Sequence, residues 1–160
     1  MEKYILTVLN EDYAKEICSW RYEGDYSVYD FSDWNVVVEN RWDLSIKDKR
    51  EAEFLAILLN NELIAYGRIV LYEEKAVIGV GLKPSWCGQG YGRKVMEVLI
   101  EESKKRLPNY TIGLEVRSFN KRAINCYKSI GFEIKNKYIK NTFKGKDEFI
   151  YMEYMGRYNT

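Results

Sequence analysis

The sequence contains no histidine. That absence removes every mechanism built on an imidazole: Ser-His-Asp triads, histidine proton shuttles, and histidine-ligated zinc or iron. Acid–base chemistry must fall to carboxylates, tyrosine, lysine, cysteine or water. Cysteine is scarce as well. Cys18, Cys87 and Cys126 are odd in number, widely spaced and form no C-x-x-C pair, so no disulfide framework is expected. This usage points to a reducing compartment, and the expected location is cytoplasmic. Only two prolines occur, with no Ser/Gly/Pro-rich linker, internal repeat or low-complexity stretch. No run of 18 apolar residues exists, and Met1-Glu2-Lys3-Tyr4 leads into no apolar leader core, so neither a membrane span nor a signal peptide is expected. Excess charge of one sign is also missing. Lys+Arg number 25 and Asp+Glu 24, a net charge of +1, which argues against a nucleic-acid partner.

What remains is ample for a core. The 160 residues are 46% hydrophobic, which fits a single domain over 1–160. Aromatic residues crowd two segments: Trp20, Tyr22, Tyr26, Tyr29, Phe31, Trp34 and Trp42 early, then Tyr138, Phe143, Phe149, Tyr151, Tyr154 and Tyr158 late.

Strand and helix signals alternate. Lys3 to Leu9 reads as a strand, and Asn10 or Asp12 can cap a helix reaching about Trp20. Residues 21–50 show no clean period, so short helical turns and loops are expected. Phe54–Leu59 and Leu63–Tyr72 read as a hairpin about Asn60-Asn61, because asparagine tolerates the left-handed backbone of a tight turn. Glu73-Glu74 then turns the chain into a strand over Ala76–Leu82. Val95, Met96, Leu99, Ile100, Ser103 and Leu107 follow helical spacing. Thr111–Arg117 is a strand with Ile112, Leu114 and Val116 on one face and Gly113, Glu115 and Arg117 on the other. Asn120 can cap a further helix that Gly131 ends, and a last hairpin turns around Lys144-Gly145-Lys146. The order predicts an α/β (α+β) fold with a mixed sheet and helices on its faces.

The sharpest chemical signal lies where a strand gives way to a helix, at Leu82-Lys-Pro-Ser-Trp-Cys-Gly-Gln-Gly-Tyr-Gly-Arg-Lys94. Gly88, Gly90 and Gly92 let the backbone approach a ligand closely. Free N–H groups at a helix N-terminus, with the helix dipole behind them, suit a pyrophosphate. Two better-known phosphate loops fail on spacing. A dinucleotide fingerprint needs glycine at 93, which is arginine, and a Walker A loop needs Gly-Lys-Ser/Thr, where the chain has Gly92-Arg93-Lys94.

Val80-x-Leu82-x-Pro84 with Cys87-Gly-Gln-Gly-Tyr-Gly92 resembles motif A of the GNAT superfamily of N-acetyltransferases, with Cys87 where Arg or Gln is usual. Asn120, Ala123, Tyr127 and Gly131-Phe132 match the spacing of the family's motif B. The stretch from Leu114 to Phe132 is especially similar to the family's ribosomal-protein alanine N-acetyltransferases. The resemblance implies a GNAT fold: a mixed, mostly antiparallel sheet of about seven strands flanked by helices. It implies acetyl-CoA as co-substrate, held by Leu82, Cys87, Gly88, Gln89, Gly90, Tyr91, Gly92, Arg93 and Asn120, and no metal. It implies Glu115 as base and Tyr127 as acid, twelve residues apart. It places the acceptor site in the early segment, where Tyr22, Glu23, Tyr26, Tyr29 and Asp30 are candidates; aromatics closing a small core is the other reading of that segment. Acids with aromatics suit a cationic amine. For Glu115 the alternative role is a surface pair with Arg117. The implied activity is acetyl transfer to a small-molecule or peptide amine by a monomer or homodimer. A catalytically silent CoA-binding regulatory module is the alternative.

Overall fold

A computed structural model describes residues 2–156; Tyr158 lies outside them. It contains a seven-stranded sheet in the order β1-β2-β3-β4-β5-β7-β6. The chain divides into two compact units, one formed by residues up to Arg68 with Val80–Tyr91, the other by Ile69–Gly79 with the residues from Gly92 on.

In the first unit β1 (Tyr4–Val8) leads to α1 (Glu11–Ser19). Asn10 is the cap: its side-chain oxygen accepts from the Tyr13 N–H at 2.8 Å, which satisfies one orphan donor of the first turn. Ala14, Ile17 and Cys18 form the buried face of α1. The stretch without a clean period contains two short helices, α2 (Trp34–Glu39) and α3 (Lys47–Glu53), and 3-10 turns at Gly24–Tyr29 and Asp43–Ser45. Each short helix contributes one buried side chain, Val37 and Arg50, and Leu44 is buried between them in sequence. β2 (Phe54–Leu59) and β3 (Glu62–Tyr72) form the hairpin, with Asn60 and Asn61 at φ 50° and 71°. β1 joins β2 in antiparallel register from Tyr4↔Leu59 to Val8↔Leu55. The core here gathers Leu9, Ile17, Trp20, Val37, Leu44, Phe54, Ala56 and Leu63, with Phe31, Trp34, Trp42 and Tyr66 packed against it. Burial of each large apolar side chain contributes about 1.5–3 kcal/mol.

β4 (Lys75–Leu82) begins in the second unit, where it meets β5 (Thr111–Arg117) in parallel over three positions, ending at Val77↔Gly113. Between them in sequence runs α4 (Tyr91–Arg106), whose Val95, Met96, Leu99, Ile100 and Ser103 are buried. Lys104, Lys105 and Arg106 occupy its last turn and complement the dipole there. α5 (Lys121–Ile130) starts at Asn120, whose side-chain oxygen accepts from the Ala123 N–H at 3.2 Å, and stops at Gly131 with φ 123°. A Cβ at Gly131 would meet the Gly156 carbonyl oxygen at 2.8 Å, so both conformation and space call for glycine. β6 (Phe132–Thr142) and β7 (Gly145–Tyr154) close the fold as an antiparallel hairpin, and β7 lies next to β5. The β6–β7 register shifts between Ile134 and Asn136, so Lys135 sits at a bulge. Among the described residues no helix is long and apolar enough to cross a membrane.

Candidate active site

In the first unit the chain leaves β4 through a 3-10 turn, Pro84–Trp86. Three contacts brace the approach to the glycines. The Lys83 N–H donates to the Ile64 carbonyl at 2.7 Å, Trp86 Nε1 donates to Glu62 Oε2 at 3.0 Å, and the Gln89 side-chain amide donates to the Ser85 carbonyl at 2.7 Å. The Trp86 ring meets the edge of Tyr91 at 4.7 Å between centroids. Gly88 and Gly90 take φ of 73° and 89°, and Gly88, Gln89 and Gly90 are exposed. An ideal Cβ on Gly90 or Gly92 meets nothing within 4 Å. Gly90 and Gly92 therefore do not serve internal packing; they leave open backbone in front of a sixteen-residue helix whose first N–H groups lack intrahelical acceptors. That is a fitting cradle for a pyrophosphate. The helix begins at Tyr91, three residues later than the first glycine of the loop.

The other candidates of this unit fall into a second group. The Tyr22 hydroxyl donates to the Leu82 carbonyl at 2.7 Å, and the Tyr22 N–H donates to Asp30 Oδ1 at 2.8 Å. Burial pushes the Tyr22 phenol far above its ordinary range, so it stays a donor. The Cys87 thiol lies 3.7 Å from the Leu82 carbonyl and 3.6 Å from that of Lys83. Glu23 is exposed, whereas Tyr26, Tyr29 and Asp30 are half-buried.

In the second unit Arg93 turns its guanidinium to Ser129 Oγ at 3.1 Å and to Glu97 at 3.4 Å. The side-chain oxygen of Asn120 is committed to its cap. Tyr127, half-buried on α5, has its ring 6.0 Å from that of Phe132, which also packs on Tyr154. Cys18 is buried in the first unit and Cys126 half-buried in this one.

Glu115 departs from the surface pair considered for it. Arg117 instead binds Asp147 at 2.6 Å and stacks 4.9 Å from the Phe149 ring centre. Glu115 accepts from the Tyr138 hydroxyl on Oε2 and from the Lys140 ammonium on Oε1. Tyr138 and Lys140 stand 23 and 25 residues away in the chain. No spacing in the sequence marks them as partners, because the β5–β7–β6 order alone brings them to Glu115. Burial and the Glu115 carboxylate raise the Tyr138 phenol well above its ordinary value, which keeps its proton available to that bond.

A family model described as the acetyltransferase (GNAT) family matches residues 11–132. Over 86 residues the chain is 36% identical to the ribosomal protein bS18-alanine N-acetyltransferase of Escherichia coli strain K12, a match that spans 52% of this chain and 57% of that relative's length. The fold is similar to a spermidine N-acetyltransferase SpeG chimera from Vibrio cholerae and hSSAT, with a TM-score of 0.74, 17% identity and 94% of each chain covered. It is also similar to yncA from Salmonella typhimurium, solved with its cofactor acetyl-CoA, with a TM-score of 0.68, 17% identity, and 98% and 96% coverage.

Proposed function

We propose, on the premise that the chain belongs to the acetyltransferase (GNAT) family, that it moves the acetyl group of acetyl-CoA to a primary amine by direct attack within a ternary complex. Residues 1–160 act as one N-acetyltransferase domain, a reading supported by a family match that runs through both compact units. The observation that carries the proposal is the open glycine backbone at Gly88–Gly92 ahead of α4.

Acetyl-CoA supplies an activated thioester carbonyl and a thiolate leaving group. The loop amides from Gly88 to Gly92 and the first turn of α4, with the backbone of Arg93, hold its pyrophosphate. Leu82, Cys87, Gln89, Tyr91 and Asn120 border the same co-substrate. An amine is protonated at neutral pH and must lose a proton before it attacks; Glu115 takes that proton. Tyr127 gives a proton to the departing sulfur. Backbone N–H groups at the end of β4, near Leu82, are the donors for negative charge developing on oxygen. Tyr22, Glu23, Tyr26, Tyr29 and Asp30 receive the acceptor, a small amine or a peptide with a cationic nitrogen. The protein works in the cytoplasm as a monomer or homodimer.

The decisive experiment is an acetyl-CoA-dependent screen of amine acceptors, run beside thermal unfolding with CoA. At a ligand concentration of 100 Kd, binding adds about 2.7 kcal/mol of stability. Stabilisation by CoA with no acetylated amine would make the protein a silent CoA-binding module. Gly90→Asp, which puts a negative side chain on the open backbone, is expected to raise the KM for acetyl-CoA in a folded variant. An unchanged KM would move the pyrophosphate away from this loop.

A further inference from the structure

Three strands bring one primary ammonium onto Glu115. β5 sets Glu115 opposite Tyr151 of β7, and β6 sets Tyr138 opposite Phe149 and Lys140 opposite Asp147. Tyr138 occupies Oε2 of Glu115 and Lys140 occupies Oε1. The Lys140 ammonium also lies 4.7 Å from the centre of the Phe149 ring. A carboxylate beside an aromatic face is a binding site for an alkylammonium ion. Arg117 stands on the same ring but is committed to Asp147. Lys140 is thus the cation that fills this site, and it has the chemistry of the amine the enzyme acetylates.

We infer that Lys140 holds the acceptor's place on Glu115 and is exchanged for the acceptor ammonium in each turnover, an assignment that rests on Glu115 being the base. Two ammonium ions on one carboxylate oxygen repel, so the acceptor and Lys140 compete for Oε1. Exchange is open to the lysine, whose side chain is 45% exposed on a flexible stem, while Glu115 is 28% exposed. Tyr138 stays on Oε2 and keeps the carboxylate oriented as the cation changes. The consequence is a specificity rule. An acceptor must arrive as a compact primary alkylammonium able to displace a lysine; a weakly basic aromatic amine, neutral at pH 7, gains nothing at Glu115.

The test separates occupancy from catalysis. Propylammonium chloride is titrated at low salt into protein carrying a carbon-13 label in its glutamate carboxyl groups, and the Glu115 resonance is followed. Lys140→Met and Lys140→Gln are expected to bind propylammonium about two- to fivefold more tightly than the wild type, the scale of losing one exposed ionic competitor. Lys140→Arg, which restores a cation, is expected to return toward wild-type affinity. Circular dichroism and melting of each variant verify folding, and the two neutral variants back each other up. Equal or weaker propylammonium binding in a folded neutral variant overturns the exchange. Kinetics on Glu115→Gln test the underlying reading separately: unchanged kcat would remove Glu115 as base even where the exchange is seen.

Discussion

Two carboxylates on one face of the second unit have the same partners in kind. Glu115 has a tyrosine and a lysine, Tyr138 and Lys140; Glu153 has Tyr151 at 3.0 Å and Lys75 at 2.7 Å. Their construction differs. The tyrosine of Glu153 comes from two residues along its own strand, and Gly113 opposite makes room for it: a Cβ there would lie 2.3 Å from the Tyr151 oxygen. The side chain of Glu153 is 16% exposed against 28% for Glu115. The Lys75 ammonium holds the Glu153 carboxyl below its ordinary value, while burial and Glu153 push the Tyr151 phenol up to about 12. Both clusters draw their lysine from a remote part of the chain, Lys75 standing 78 residues from Glu153, but Glu153 takes its tyrosine from its own strand and is the less exposed carboxylate. Glu115 takes both its tyrosine and its lysine from another strand and is the more open to solvent, which is the property an exchangeable site needs. Composition alone does not separate the two clusters; the exposure of the carboxylate does.

The largest expected break in this comparison comes from removing each carboxylate's charge. Glu115→Gln is expected to lower kcat by roughly 10²–10⁴-fold, the range for loss of a general base, while Glu153→Gln leaves kcat within a factor of about two and lowers the melting temperature. Steady-state kinetics and melting curves on the two variants check it; equal kcat losses would erase the distinction. Next in size, Tyr127→Phe is expected to reduce kcat by roughly 10²-fold with the KM for acetyl-CoA unchanged, since the ring still packs on Phe132. Wild-type turnover would pass the acid role elsewhere. Gly113→Ala pushes a methyl group into Tyr151 and is expected to cost about 1–3 kcal/mol in denaturant unfolding, through the Glu153 cluster.

The smallest effect is a pH dependence. Because the folded-state value for Glu153 is depressed below its ordinary 4.5, its pair with Lys75 is fully stabilising above that pH. The contribution disappears as pH falls through the depressed folded value. The stability gap between the wild type and Glu153→Gln is therefore expected to be constant above about pH 5.5 and to narrow in acid. A gap that widens in acid would contradict the sign.

Much of the fold was legible because its signals are local. Asn10 and Asn120 at helix starts, Gly131 at a helix end and Asn60-Asn61 in a turn each report a backbone preference that distant residues need not confirm. The glycine loop was legible for the same reason. In residues 21–50 the short helical turns were legible but their bounds were not, because α2 and α3 span six and seven residues and are too short to display a helical period. They are fixed by tertiary burial of Val37, Leu44 and Arg50. The surroundings of Glu115 were hidden for a related reason. Its strand was readable, but the order β5–β7–β6 places the last strand in sequence between two earlier ones. Partners such as Tyr138 and Lys140 are properties of a register, and one sequence does not print its register.

The position of β6 at the end of the sheet has a consequence for how the protein keeps in solution at high concentration. An eleven-residue terminal strand offers its outer backbone groups as a template on which other chains can polymerise. Exposed Ile134, Ile139 and Phe143 would add adhesion to such stacking. Lys135, Lys137 and Lys140 punctuate the strand with positive charge, and the bulge at Lys135 spoils the straight line that a fibril requires. Neutralising these lysines for crystallisation or acetylating them chemically would strip that protection, so storage of such material calls for dilute, low-salt conditions in which the remaining charge still repels.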